Sequence, residues 1–156
     1  MNNKIGVVTV TYNSTDVLDD FLESMKNQTH QNYVLYVIDN ASHDSTAQII
    51  QALHDPHIVY IQNEENAGVA VGNNQGTVKA IEDCCNFILF LNNDTSFEPY
   101  LFDKLLKGLE EHKADIVVPK IYYSDNKTIL WFAGGDFDKL FQCDVNHIGF
   151  KEEDKG

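Results

Sequence analysis

Four apolar runs in this chain each stop on a cluster of amides and acids. Ile5 to Val10 ends in Thr11-Tyr12-Asn13, and Val34 to Ile38 ends in Asp39-Asn40-Ala41-Ser42. Ile58 to Ile61 ends in Gln62-Asn63-Glu64-Glu65-Asn66, and Phe87 to Leu91 ends in Asn92-Asn93-Asp94-Thr95. Short, unbroken apolar runs suit strands covered on both faces, as in a parallel sheet. A carboxylate or amide repeated at each tip makes poor core and a good polar crevice. Open α/β sheets bind ligands at that carboxyl edge.

The stretches between the runs have helical period. Ser14 to Gln28 puts Val17, Leu18, Phe21, Leu22 and Met25 on one stripe, with Ser14 or Thr15 as cap. Asp44 to Leu53 reads as a shorter helix, and Gly68 to Ile81 as a third. A fourth follows Pro99, which suits a first turn, and carries Leu101, Phe102, Leu105, Leu106 and Leu109. Asp115 to Pro119 reads as a fifth strand and Thr128 to Phe132 as a sixth. This alternation predicts an α/β fold, a three-layer Rossmann-like arrangement around a mainly parallel sheet. From Gly134 on, clear periodicity is lost, and Lys151-Glu152-Glu153-Asp154-Lys155-Gly156 reads as a frayed or cut end.

Charge narrows the choice of partner. The formal net charge is −13, and all 11 basic residues are lysines, with no arginine. Nucleic acid needs a basic face, and anionic lipid attracts one, so both are disfavoured as partners. A phosphorylated ligand would need a divalent cation, helix N-termini or backbone N–H groups. Cys84, Cys85 and Cys143 have neither a disulfide-framework nor a zinc spacing, which fits a reducing compartment. No apolar run reaches the ~18 residues of a membrane span, and no apolar leader is present.

Asp94 has two readings: a ligand for a hard cation such as Mg²⁺ or Mn²⁺, or an Asx turn at a strand end. Gly68, Gly72 and Gly76 recur every fourth residue, so they share a helix face. Each costs about 1 kcal/mol of helix stability relative to alanine, so the face must approach either the sheet or a ligand closely. Asn73 would add an amide near the crevice. Asp39 suits hydrogen bonding to a ribose or base edge. Ser42 or Asp44 suits helix capping, and Tyr12 either lies on a base or packs.

Taken in order, T-Y-N, D-N-A-S-x-D-x-T, N-x-G-x-x-x-G-N-N-x-G and N-N-D resemble the donor-binding half of family 2 glycosyltransferases with the GT-A fold. The resemblance covers roughly residues 4–135. It implies that Thr11, Tyr12, Asn13, Asp39 and Asn40 surround the nucleoside, with Asn66, Gly68 and Asn73 bordering it. It also implies that Asn92-Asn93-Asp94 occupies the place of the DxD motif. Asn92 then belongs to the donor-binding set, Asn93, the middle position, faces the ribose or donor sugar, and Asp94 ligates Mg²⁺ or Mn²⁺ at the diphosphate. The Asn-Asn-Asp form is similar to that of bacterial rhamnosyltransferase-like members.

The implied activity is inverting transfer of a sugar from a nucleotide-diphosphate donor to a hydroxyl of a saccharide or lipid-linked saccharide, in cell-surface polysaccharide or glycan synthesis. The implied location is cytoplasmic, peripheral to the inner membrane in a longer protein. Residues 1–135 are expected to form the donor-binding region and 136–156 an irregular tail opening a missing acceptor-binding half. Neither Gly134-Gly135-Asp136-Phe137-Asp138 nor Glu153-Asp154 is assigned as the catalytic base. The rivals are a non-catalytic nucleotide-sugar-binding fragment, a nucleotidyltransferase and a phospho-receiver domain. A nucleotidyltransferase would be expected to carry a Gly-rich basic loop after the first strand, and Thr11-Tyr12-Asn13-Ser14-Thr15 has neither Gly nor Lys. Trp131, the only tryptophan, lines a sugar pocket or packs in core.

Overall fold

The computed structural model describes residues 3–137 and 145–156. They fall into two compact units, Met1–Phe102 and Asp103–Gly156.

The first unit holds a four-stranded parallel sheet. Its strands are β1 (Ile5–Thr11), β2 (Tyr33–Asp39), β3 (Ile58–Gln62) and β4 (Phe87–Phe90), in the order β3-β2-β1-β4. Three helices join them: α1 (Leu18–Lys26), α2 (Thr46–Ala52) and α3 (Val69–Glu82). The order grows one way from β1 to β3 and then reverses to β4. A switch point therefore lies between β1 and β4, and it is there that open parallel sheets form a crevice.

Side chains alternate between the faces of each strand, and both faces are covered. On one face Val8, Tyr36, Ile38 and Ala80 form a fully buried cluster with Val10, Val59, Ile61 and Ile88 packed around it. Here α3 lies close to the sheet. A Cβ on Gly72 would stand 2.7 Å from Val10 Cγ2, and one on Gly76 2.4 Å from Val8 Cγ1. The glycine face predicted from spacing is thus a packing face at positions 72 and 76. Gly68 differs, having φ +83° with open space beside it, so its backbone rather than its surroundings requires glycine.

On the opposite face Phe21 and Met25 of α1 are buried, and Tyr33 Oη donates to Met25 O at 3.1 Å. Phe97 meets Phe21 edge-on and stacks on Phe102, which also meets Tyr33 edge-on. Gln28 holds these parts together. Its Nε2 donates to Ser24 O and Glu98 O, and its Oε1 accepts from Phe102 N.

The second unit contains most of α4 (Leu101–His112) and two hairpin pairs. β5 (Ile121–Tyr122) pairs antiparallel with β6 (Leu130–Phe132), and β7 (Gly135–Phe137) with β8 (Val145–His147). The fifth strand expected over Asp115 to Pro119 does not form. A strand exists only with a ladder partner, and among the described residues this extended segment has none; Ile116 is 83% exposed. The charged end does not fray either. Leu130 N donates to Glu152 O, Lys151 N to Leu130 O and Asp154 N to Thr128 O, which adds it to the edge of β6. Cys143 and Asp138 lie outside the described residues. No helix among the described residues is long and apolar enough to cross a membrane.

Candidate active site

Parallel pairing brings the strand tips to one edge. The register sets Thr11 beside Asp39 and Gln62 on its other side. Asp39 is 0% exposed, and its carboxylate is fully engaged. Oδ1 accepts from Thr11 Oγ1 (3.2 Å), from the Ser42 N–H (3.3 Å) and from Ser42 Oγ; Oδ2 accepts from Tyr60 Oη at 2.7 Å. Burial, followed by the bond to Asp39, pushes the Tyr60 hydroxyl far above its usual range, so it remains a donor. Asp39, expected to meet a ribose or base edge, is held here by donors of the chain itself. A buried carboxylate must be hydrogen-bonded, and this one draws its donors from β1, β3 and the β2–α2 loop.

The loops after β1 and β2 are sewn together. Asn13 N donates to Ser42 Oγ (2.9 Å), Ser14 N to Thr46 Oγ1 (2.8 Å) and Thr15 N to Asp44 Oδ2 (3.1 Å). In return His43 N donates to Asn13 Oδ1 at 2.8 Å, and Asn13 takes φ +50°, a region Asn tolerates. Ser14 and Thr15 therefore do not cap α1, which begins at Leu18 without a side-chain cap. Asp44 also accepts from Thr46 N at 3.0 Å. Hydrogen bonds from Thr46, then Thr15, hold its carboxyl well below the usual range. With these three N–H groups committed, the β1–α1 loop has little left to cradle a phosphate.

Asn40 faces the other way from Asp39, toward α3, and is 2% exposed. Asn63 Nδ2 donates to Asn40 Oδ1 (2.8 Å) and to Gln75 Oε1 (2.9 Å), and Gln75 Nε2 returns a bond to Asn63 Oδ1 (3.0 Å). An open hollow of about 470 Å³ lies here, lined by Ala41, Ser42, His43, Gln62, Asn63 and Glu64. A smaller hollow of about 280 Å³ beside α1 carries Asp20 and Glu23; a diphosphate would be repelled there.

Tyr12 is 48% exposed at the switch point. Asn66 Oδ1 accepts from Gly68 N at 3.0 Å and shapes the entry to α3. Asn73, on α3, accepts from Thr77 Oγ1 through its backbone carbonyl. Across β1, Leu91 N donates to Val8 O and carries Asn92-Asn93-Asp94 off the tip of β4. Asn92 and Asp94 are exposed. Asn93 Nδ2 is buried with no hydrogen-bond partner, a state that calls for a ligand or water. Sequence reading missed Tyr60 and Gln75 and gave Asn63 no role, because nothing local marks them.

In the second unit, Asp154 is held low, at about 2, by Lys120 and then Tyr122. Lys120 Nζ lies 2.8 Å from it. A carboxylate so stabilised is a weak base. Trp131 is 43% exposed beside Phe132 and His147.

This arrangement, polar strand tips at a switch point with an exposed acid after β4, coincides with a family match. Residues 6–154 fit the model of glycosyl transferase family 2. The chain belongs to glycosyl transferase family 2.

Among its curated relatives, the glycosyltransferase GlyA of Streptococcus pneumoniae is 31% identical over 130 residues, 82% of this chain and 18% of that protein. The putative teichuronic acid biosynthesis glycosyltransferase TuaG of Bacillus subtilis is 32% identical over 110 residues, 68% of this chain and 40% of that protein. The fold is shared with S. aureus TarS (residues 1–349) in complex with UDP, with TM-score 0.65 and 20% identity, covering 90% of this chain and 43% of that one. It is also shared with a mannosyltransferase from Pyrobaculum calidifontis in complex with GDP-Man and Mn²⁺, with TM-score 0.59 and 19% identity, covering 68% and 32%. The chain thus spans less than half the length of these relatives. These likenesses carry the GT-A fold and do not distinguish a rhamnosyl donor from another.

Proposed function

We propose that residues 1–135 form the nucleotide-sugar donor-binding region of a glycosyltransferase acting in cell-surface polysaccharide synthesis. The observation that carries this reading is the convergence of Thr11, Asn13, Asp39 and Asn40 on one hydrogen-bonded edge beside the switch point. Asp39 frames the edge. Tyr12, Asn40, Asn66, Gly68 and Asn73 border the nucleoside, while Asn92 and Asn93 reach the donor sugar. The UDP and GDP-Man complexes of the structural relatives and the teichuronic acid relative support this assignment.

The donor set after β4 fits a hard divalent cation, Mg²⁺ or Mn²⁺, held by Asp94. Among the described residues no three His, Cys, Asp or Glu side chains cluster. Such an ion would draw the rest of its oxygens from diphosphate and water. When bound, it neutralises diphosphate charge, a task no arginine can take in this chain. The unpartnered Asn93 amide donates to a donor-sugar oxygen. An acceptor hydroxyl, giving its proton to a base in the acceptor-binding part of a longer protein, attacks the anomeric carbon with inversion as the carbon–oxygen bond to the nucleoside diphosphate breaks, and the diphosphate leaves with that electron pair. The finished enzyme works on the cytoplasmic side of the membrane.

Thermal melting of this chain with UDP-, GDP- and dTDP-sugars, with and without Mn²⁺, tests the reading. A donor that binds only the folded state raises Tm in a concentration-dependent way. Absence of a shift with every nucleotide sugar would refute it.

A further inference from the structure

Asn63 and Gln75 form a reciprocal amide pair, and that pair reaches Asn40 at the tip of β2. Each Asn63 amide group is committed: its nitrogen donates to Asn40 and Gln75, and its oxygen accepts from Gln75. Gln75 gets there because α3 sits on the sheet through Gly72 and Gly76, which flank it. Asn63 also lines the 470 Å³ hollow. The bond to Asn63 takes up the Asn40 oxygen, and no described residue accepts from the Asn40 NH2 group.

We infer that Asn63 and Gln75 are positioning residues that hold the Asn40 amide in one orientation, with its NH2 turned to the ligand, and thereby set which base the site accepts. The inference rests on the donor-binding reading above. An amide can present either a donor or an acceptor, and an unsecured one rotates to suit its guest. Secured through its oxygen, Asn40 offers a donor, so the base must answer with a carbonyl oxygen or ring nitrogen. Polar groups buried at a recognition site reject a mismatched edge strongly because the wrong partner leaves them unpaired.

UDP and CDP probe this directly, since uracil and cytosine have one ring size but opposite donors and acceptors at N3 and at position 4. Asn63→Asp can only accept, so it draws the Asn40 NH2 inward and turns its oxygen outward. Asn40→Asp presents an acceptor by a second route, with Asn63 still bonded to its other oxygen. Titration calorimetry of the 156-residue chain with each nucleotide is expected to show the ratio of the UDP and CDP dissociation constants moving about tenfold or more, in the same direction in both variants. A purely structural role would weaken both nucleotides by one common factor. A ratio within about twofold of wild type in either variant that keeps its far-UV circular dichroism overturns the inference while sparing the donor-binding reading. Wild-type protein that binds neither nucleotide overturns the inference, and the donor-binding reading falls with it only if GDP- and dTDP-sugars also leave Tm unmoved.

Discussion

Tyr60 Oη donates to Asp39 Oδ2 at 2.7 Å and ties β3 to the buried carboxylate at the tip of β2. The two residues stand diagonally across the strand pair, since Val37 faces Tyr60 and Asp39 faces Gln62 in the register. Side chains as long as tyrosine reach that diagonal. This bond completes a set of donors from three parts of the sheet edge.

Tyr60→Phe keeps the ring and removes that donor from a buried charge. Bonds to charged groups contribute about 1.5–3 kcal/mol. The expected result is a loss of about that size in urea unfolding, seen as a lower midpoint with an unchanged slope. An unchanged midpoint would mean that Asp39 Oδ2 does not depend on Tyr60.

Gly76→Ala sets two effects against each other. Alanine gains about 1 kcal/mol in helix propensity, but its Cβ would meet Val8 Cγ1 at 2.4 Å, and Val8 is fully buried. Overpacking costs about 1–3 kcal/mol, so net destabilisation is expected. Adding Val8→Ala makes room for the methyl group, and the double variant should be more stable than the sum of the two single losses. Strict additivity would show that α3 does not depend on this approach.

Asp44 links acid stability to the paired loops. Its folded pKa is depressed below the ordinary carboxylate value of 3.8. Between the two values the unfolded chain binds the extra proton, so stability falls as pH falls. The contribution is fully present above the ordinary value and is lost progressively below it. Asp44→Asn should therefore be less stable than wild type at neutral pH, with a gap that closes as the solution is acidified below about pH 4. A gap constant from pH 7 to pH 2 would contradict this origin.

Asp94→Ala is expected to abolish any manganese-dependent rise in Tm with a nucleotide sugar and to leave the melting of the free chain within about 0.5 kcal/mol of wild type, as for an exposed residue. A manganese-dependent rise that survives the substitution removes Asp94 from the site.

The four strands and the helices between them were legible in the sequence because burial leaves a period in consecutive residues. The close approach of α3 was visible in the spacing of Gly72 and Gly76, whose cost to a helix needs a reason. The segment Asp115 to Pro119 carried a strand-like pattern yet forms no strand, since its apolar run could not show whether a partner would lie beside it. The positions at the strand tips could likewise be listed in advance, but their roles could not. Strand order and register alone decided that Asp39 is enclosed by Thr11, Ser42 and Tyr60, and that Ser14 and Thr15 bond to the next loop instead of capping α1. They also decided that Asn40, Asn63 and Gln75 share one chain of amides. Sequence determines which residues want to be buried or bonded, because that is a property of each side chain and its near neighbours. Which distant group satisfies them depends on where the sheet and helices set them down, and only the folded chain settles that.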